Sequence, residues 1–252
     1  MEERDATTLE GATRRGRVTL VGHFEVEVDA HNVKRALARR WPCRVDFIVG
    51  DDWRHRWKEH FKPVRIGQRL VIRPSWEPVK PLRDEVVLTL DPGQAFGTGT
   101  HETTRLVLRE IDRRVQGGER VLDVGCGSGI LAIAALLLGA TSAHAIDVDP
   151  DAIRVTKENA RRNHVHSSIR AECRDLAEIA ERFDLLVANI EARVLIPMAE
   201  ALPLRLKPGG VLVLSGILLE QVDEVRRAFS SIGRALVLVD GQWAALTMER
   251  RR

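Results

Sequence analysis

The sequence predicts an α/β protein, with a mostly parallel sheet closed by an antiparallel final strand and preceded by a small α+β domain. Three observations carry this reading. From about residue 120, apolar strand-like runs alternate with helical patterns, and a glycine-rich turn follows the first of those runs. The first third of the chain also differs in composition from the rest. Regular alternation of strands and helices implies parallel strands joined by right-handed crossovers.

Residues 1–90 carry 18 basic and 14 acidic side chains, residues 91–252 carry 21 and 22, and within 34–73 the balance is 12 to 4. Trp41, Trp53, Trp57 and Trp76, four of the five tryptophans, lie in the first third. The expected organisation is therefore a loose tail over 1–16, a small α+β domain over 17–73, a Pro-containing linker over 74–92 and a large domain over 93–252. A chain of 252 residues that is 44% hydrophobic and 30% charged is globular in composition. Its net charge of +3 excludes a general nucleic-acid coat. Cys43, Cys126 and Cys173 are too scattered for a disulfide framework or a paired-cysteine zinc site, and no metal is expected. The longest nearly apolar run, Ile130 to Ala140, is well short of the ~20 residues of a membrane helix. Residues 1–17 hold no apolar signal core, so a reducing cytoplasm is the expected compartment.

In the first third, Val18–Val28 alternates apolar and polar residues and predicts a strand. Asp29–Arg40 predicts a helix, capped by Asp29 or Asn32, and Arg44–Val49 a second strand. Trp53, Trp57 and Phe61 share one helical face, and Ile66–Ile72 predicts a further strand. In the large domain, strands are predicted at Arg120–Val124, Ala143–Asp147, Ile169–Cys173, Asp184–Ala188 and Val211–Ser215. Helices fit 129–138, 151–163, 175–182, 192–205 and 219–231. Ala235–Asp240 and Trp243–Met248, linked by Gly241-Gln242, predict the closing hairpin.

Val121-Leu-Asp-Val-Gly-Cys-Gly-Ser-Gly129 reads as a strand running into a glycine turn and a helix. Gly125, Gly127 and Gly129 allow a tight turn and close approach of a ligand at the carboxyl end of the first strand. The dinucleotide fingerprint is not met, because Ile130 stands where it requires Gly or Ala. Asp147, 22 residues after Gly125, ends the second strand and is placed to accept the hydroxyls of a ribose. Asp151 is expected to cap the next helix and Asp149 to lie in the turn. Asp123 either orders the glycine turn or meets an ammonium group of the ligand. Asn189 ends the fourth strand and offers one acceptor and two donors to the same crevice; capping the following helix is the competing role. The loop Asp91–Thr104, with Gly93, Gly97 and Gly99, suits a lid over a polar ligand and leads into a helix starting at Thr103 or Thr104. His101 is expected to be a structural hydrogen-bonding residue; a base or a metal ligand are the competing roles, and no Cys or His lies at metal-ligand spacing from it.

On these residues the chain resembles a class I S-adenosylmethionine methyltransferase with a Rossmann-like sheet. More narrowly, it resembles the ribosomal protein L-eleven methyltransferase family. The narrow match rests on Gly93-Gln-Ala-Phe-Gly-Thr-Gly-Thr-His-Glu-Thr-Thr104, Val121–Gly129, Ile146-Asp-Val-Asp-Pro150, Val187-Ala-Asn189 and Leu214-Ser-Gly-Ile-Leu218. Asp52-Trp53, Trp57-Lys58 and Phe61-Lys-Pro63 fit upstream, so the resemblance covers roughly residues 50 to 248. Glu191 departs from it, standing where the family usually has an apolar residue. The resemblance implies methyl transfer from S-adenosylmethionine to lysine or N-terminal amines of a large-subunit ribosomal protein, with the small domain recognising that partner; a monomer is expected. It implies that Thr104, Gly125, Asp147 and Asn189 bind the cofactor and that Asn189 lies beside the accepting nitrogen. Phe96, Thr98, Asp123 and Gly127 complete the candidate cofactor-binding set. The basic balance of 34–73 fits docking beside ribosomal RNA and equally fits a solvated basic face. Other readings are the same chemistry on another protein, RNA or small molecule, a nicotinamide-dependent oxidoreductase, and a non-catalytic binding protein. The oxidoreductase leaves Ile130, the Ala95–His101 loop and Asn189 unexplained.

Overall fold

The computed structural model describes residues 27–45, 62–91 and 101–251. The chain divides into two compact units, Met1–His60 and Phe61–Arg252. Of the first unit, the described part is helix α1 (Glu27–Leu37) and the residues to Val45. The strands expected at Val18–Val28 and Arg44–Val49 and the Trp53–Phe61 helix lie wholly or largely outside the described residues.

The second unit is built on a seven-stranded sheet. Its strands in chain order are β4 (Arg120–Val124), β5 (Ser142–Asp147), β6 (Ile169–Cys173), β7 (Phe183–Asn189), β8 (Leu206–Leu218), β9 (Leu236–Asp240) and β10 (Trp243–Glu249). They are ordered β6-β5-β4-β7-β8-β10-β9. Neighbouring pairs from β6 to β8 are parallel, while β10 runs antiparallel to both β8 and β9. Successive residues of the central strands face opposite sides. Val121, Leu185, Val187 and Val213 pack on one side with α2 (Glu102–Arg114), α3 (Ile130–Leu137) and α4 (Pro150–Arg162). Leu122, Leu186, Leu212 and Leu214 pack on the other with the segments after β6, β7 and β8. With both faces covered, the strands read as continuous apolar runs, which is why the sequence marks them clearly.

The domain boundary falls earlier than the sequence suggests. Residues 64–89 form a second sheet of β1 (Val64–Ile66), β2 (Leu70–Arg73) and β3 (Val86–Thr89). The run Ile66–Ile72 is two antiparallel strands, because the chain reverses after Ile66 through Gly67 at φ 63°. The stretch 74–92, read as a linker, contains β3, which pairs parallel to β2. Ile66, Leu70, Ile72, Leu88 and Leu90 bury into the same core as α2 and α3, so this sheet belongs to the large unit. Two polar fasteners hold it there. Arg69 donates to Asp112 and to the Val115 carbonyl at the end of α2, and the buried Asn163 side chain bonds both the N–H and the carbonyl of Thr89 at 2.7 and 2.8 Å.

Several predicted helices are shorter or broken. Residues 175–182 form one 3-10 turn, Leu176–Glu178, closed by reciprocal bonds between Asp175 and Glu178. Residues 192–205 break into α5 (Ala192–Leu195), a 3-10 turn at Ile196–Met198 and α6 (Ala201–Leu204), because Pro197 and Pro203 interrupt the hydrogen-bond ladder. Residues 219–231 form a 3-10 turn and then α7 (Val222–Ala228). Among the described residues no helix is long and apolar enough to cross a membrane.

Asn163→Ala should remove both bonds to Thr89 and leave its partly buried peptide groups unpaired, at a cost of about 2 kcal/mol. Urea unfolding measures this, and a cost below about 0.5 kcal/mol would show that the fastener is dispensable.

Candidate active site

The carboxyl ends of β4, β5, β6 and β7 open on one cavity of about 320 Å3. β4 ends in an apolar run and passes through Gly125-Cys-Gly-Ser-Gly129 into α3. The N–H groups of Gly125 and Cys126 donate to the Ile146 carbonyl of β5 at 2.9 and 3.1 Å, which pins the turn to the neighbouring strand. Gly125 adopts φ 69°, and a Cβ there would lie 2.6 Å from Ile190 Cγ2. Only glycine fits, as the turn requires both a left-handed backbone and room for the residue after Asn189.

Asp147 stands at the end of β5, in the cavity wall. Its Oδ2 accepts from Gly127 N at 2.9 Å and its Oδ1 from Asp149 N at 3.0 Å. The carboxylate therefore ties the glycine turn to the β5–α4 turn, and each oxygen keeps a lone pair for a ligand. The cap of α4 is Asp149, which accepts from Asp151 N at 2.8 Å, and not Asp151 as the sequence suggested. Pro150 takes the first helical position, so the cap falls on Asp149, two residues before Asp151.

Asp123 is fully buried and stands behind the turn, outside the cavity wall. Its Oδ2 accepts from Ala132 N at 3.1 Å and its Oδ1 has no protein partner. Burial, helped by the negative charge of Asp147, pushes its pKa up to about 7. The Ala132 bond ties Asp123 to the first turn of α3. Cys126 beside it is also buried, and burial pushes its thiol well above the usual range.

Asn189 ends β7 and does not cap α5, whose N-cap is Glu191 without a side-chain bond. Instead Asn189 Nδ2 donates to Thr104 Oγ1 at 3.2 Å, in the first turn of α2. The Asn189 Oδ1 atom is buried and unpartnered. One hydroxyl can satisfy only one end of the amide, so the other end remains for a ligand. The structure thus brings Thr104, Gly125, Gly127, Asp147 and Asn189 into one cavity wall. Phe96 and Thr98 lie outside the described residues. His101 is the N-cap of α2: its Nδ1 accepts from Thr103 N at 3.3 Å and lies 2.8 Å from Thr103 Oγ1.

The sequence reading missed one side of the cavity. Val148, 78% exposed, and Arg174, Asp175 and Leu176 line it after β5 and β6, and Val194 and Met198 line it after β7. Their signal was position, since each follows the carboxyl end of a predicted strand. Among the described residues no cluster of three or more His, Cys, Asp or Glu is placed to hold a metal ion.

A sheet of this order, with a glycine turn after its first parallel strand, an acid ending the second and a cavity across their carboxyl ends, defines a class I S-adenosylmethionine-dependent methyltransferase. The chain belongs to the ribosomal protein L11 methyltransferase family, whose model matches residues 3–251. It is 46% identical over 242 residues to the ribosomal protein L11 methyltransferase of Sorangium cellulosum, covering 94% of this chain and 76% of that one. To the protein of the same name from Geobacter sulfurreducens it is 48% identical over 204 residues, covering 80% and 67%. The crystal structure of a ribosomal protein L11 methylase from Lactobacillus delbrueckii subsp. bulgaricus matches with a TM-score of 0.71 and 35% identity, covering 76% of this chain and all of that one. A 16S rRNA methyltransferase of T. thermophilus, solved with AdoMet and guanosine, shares the fold at a TM-score of 0.53 and 22% identity over 62% of this chain and 45% of that one.

The raised pKa of Asp123 has a signed consequence. Its folded value lies above the unfolded value near ~3.9, so the native chain holds an extra proton between about pH 4 and about pH 7. Stability should therefore fall as pH rises through that window, by an amount on the order of a few kcal/mol. Asp123→Asn, which does not titrate, should flatten the fall when urea unfolding is compared from about pH 5 to about pH 8. An unchanged slope would mean that Asp123 ionises without cost.

Proposed function

We propose that this protein transfers methyl groups from S-adenosylmethionine to lysine side-chain or N-terminal amines of ribosomal protein L11. Family membership supports the reaction class, and one observation supports the chemistry. The Asn189 amide, held at one end by Thr104, leaves its other end unpartnered in the cavity wall. The wall also suits the cofactor. Its volume is within the usual ligand range of about 300–1,000 Å3. Ile146, Val148 and Leu176 supply apolar surface for a base, Asp147 offers acceptors for ribose hydroxyls, and the glycine turn leaves room for the close approach of the rest.

When bound, the cofactor supplies a methyl carbon activated by the adjacent sulfonium. The residues of this chain orient the acceptor. A free lysine has a pKa near ~10.4, so only about one in a thousand is neutral around pH 7.4. Asn189 Oδ1 accepts an N–H of the neutral amine and carries no charge that would favour the ammonium form. Ile190 and Val194 in the same wall are apolar and offer no charge that would stabilise the ammonium form. Alignment supplies the rest of the rate, and the proton released after transfer passes to solvent.

The first unit recognises the acceptor in this reading. Val33 and Leu37, one turn apart on α1, and Trp41 just beyond it are exposed, as are the cations Arg35, Arg39, Arg40 and Arg44. Such a surface fits a protein partner on the ribosome with RNA phosphates nearby.

Incubation with labelled S-adenosylmethionine and purified L11 tests the function, with labelled L11 expected; label only on RNA or on small molecules would overturn the acceptor. Asn189→Ala should lower turnover more than cofactor affinity, by over a hundredfold for a loss of about 3 kcal/mol. Asn189→Asp should recover part of its rate as pH rises, because a carboxylate raises the pKa of the amine. Turnover of Asn189→Ala at the wild-type level would remove Asn189 from the reaction. Deleting residues 1–60, a cut that spares β1 to β3, should retain cofactor binding in calorimetry and abolish methylation of L11. Full methylation by the shortened chain would give the first unit another role.

A further inference from the structure

The first turn of α2, which carries Thr104, is held from outside the cavity. Arg105 donates to Asp240 Oδ2 from Nη2 at 3.0 Å and from Nε at 3.2 Å. Arg109, one turn further along, lies 3.7 Å from the same oxygen. Asp240 is the last residue of β9, and the Gly241-Gln242 link returns the chain into Trp243 of β10. The Trp243 ring meets the His101 N-cap ring edge-on, with centroids 5.2 Å apart. The Gln242 carbonyl accepts from Leu219 N at 3.0 Å, which ties the hairpin tip to the end of β8. The hairpin tip thus grips the N-terminus of α2 by an ion pair and a ring contact, and neither Asp240 nor Trp243 touches the cavity.

The remainder of α2 does not depend on this grip. Leu106, Val107, Leu108 and Ile111 are buried in the core, and Asp112 is bound to Arg69. In the first turn, where Thr103 and Thr104 are also buried, the opening N–H groups have no intrahelical partners; His101 holds that of Thr103, and the Arg105–Asp240 pair ties the turn to the hairpin tip.

We propose that Asp240 is a positioning residue for methyl transfer: through Arg105 it fixes the first turn of α2 and holds the Thr104 hydroxyl against the Asn189 amide. The inference rests on the methyl-transfer reading of the cavity. A drift of about 1 Å in such an arrangement is enough to cost up to a hundredfold in rate.

The test uses the full chain with Asp240→Ala and Asp240→Glu, each also combined with Asn189→Ala. Amide hydrogen exchange should quicken over 102–106 in Asp240→Ala and stay at the wild-type rate over 107–114. Turnover should fall about tenfold to a hundredfold, more than cofactor affinity weakens, and Asp240→Glu should restore most of it. In the Asn189→Ala background the same change should alter turnover by less than about twofold, since the interaction it protects is already gone. Wild-type exchange over 102–106, or an equal loss of turnover in both backgrounds, would overturn the proposal. A wild-type chain that neither binds S-adenosylmethionine nor transfers methyl groups would sink the functional reading instead, and the exchange measurement would still decide whether Asp240 holds the turn.

Discussion

A Cβ on Gly125 would lie 2.6 Å from the Ile190 side chain, and one on Gly216 would lie 2.5 Å from the Ile190 carbonyl oxygen. Ile190 is packed between two residues without side chains, one from the turn after β4 and one from β8. Its N–H also donates to the Ser215 carbonyl at 3.2 Å. This close packing fixes the backbone directly after Asn189, so the end of β7 cannot swing away from the glycine turn. A methyl group at either glycine would push Ile190 outward and carry the Asn189 amide with it. The separation between the glycine turn and Asn189 is therefore set by backbone packing in the sheet, which resists displacement more than a loop would.

Charge is distributed around that packing in an orderly way. Asp147 uses both carboxylate oxygens to hold backbone N–H groups, so it shapes the turn as well as facing the cavity. Asp123, behind the same turn, is desolvated enough that its pKa rises to about 7. Two full negative charges so close together in a buried turn would repel, and the raised pKa of the inner acid relieves this.

Much of this was legible in the sequence, for physical reasons that also explain the gaps. Strands β4, β5 and β7 are buried on both faces along most of their length, and β5 and β7 end in a chemically distinct residue, Asp147 and Asn189. The small sheet was harder to read, because Gly67 splits one apolar run into two strands and the prolines of 74–92 mask β3. Pro197 and Pro203 broke a helix whose apolar spacing looked continuous. The partner of Asn189 lies 85 residues away in the chain, and no local pattern joins it to Thr104. That the exposed Val148 and the Arg174-Asp175-Leu176 segment line one wall follows from strand order, which places β5 beside β4 and β6 beside β5.

Strand order also separates the two chemical demands of the proposed reaction. In the sequence β6-β5-β4-β7, Asp147, Arg174 and Asp175 lie on the β5–β6 side of the glycine turn, and the Thr104–Asn189 pair lies on the β7 side. The first side is charged and suits a polar nucleoside. The second is a neutral hydroxyl–amide pair flanked by Ile190 and Val194. An acceptor amine must lose its proton before it can attack, and a nearby carboxylate would hold that proton in place. Orienting the amide with a neutral hydroxyl, and fastening that hydroxyl through charges kept outside the cavity at Arg105 and Asp240, gives rigidity without adding a charge where the amine must be neutral.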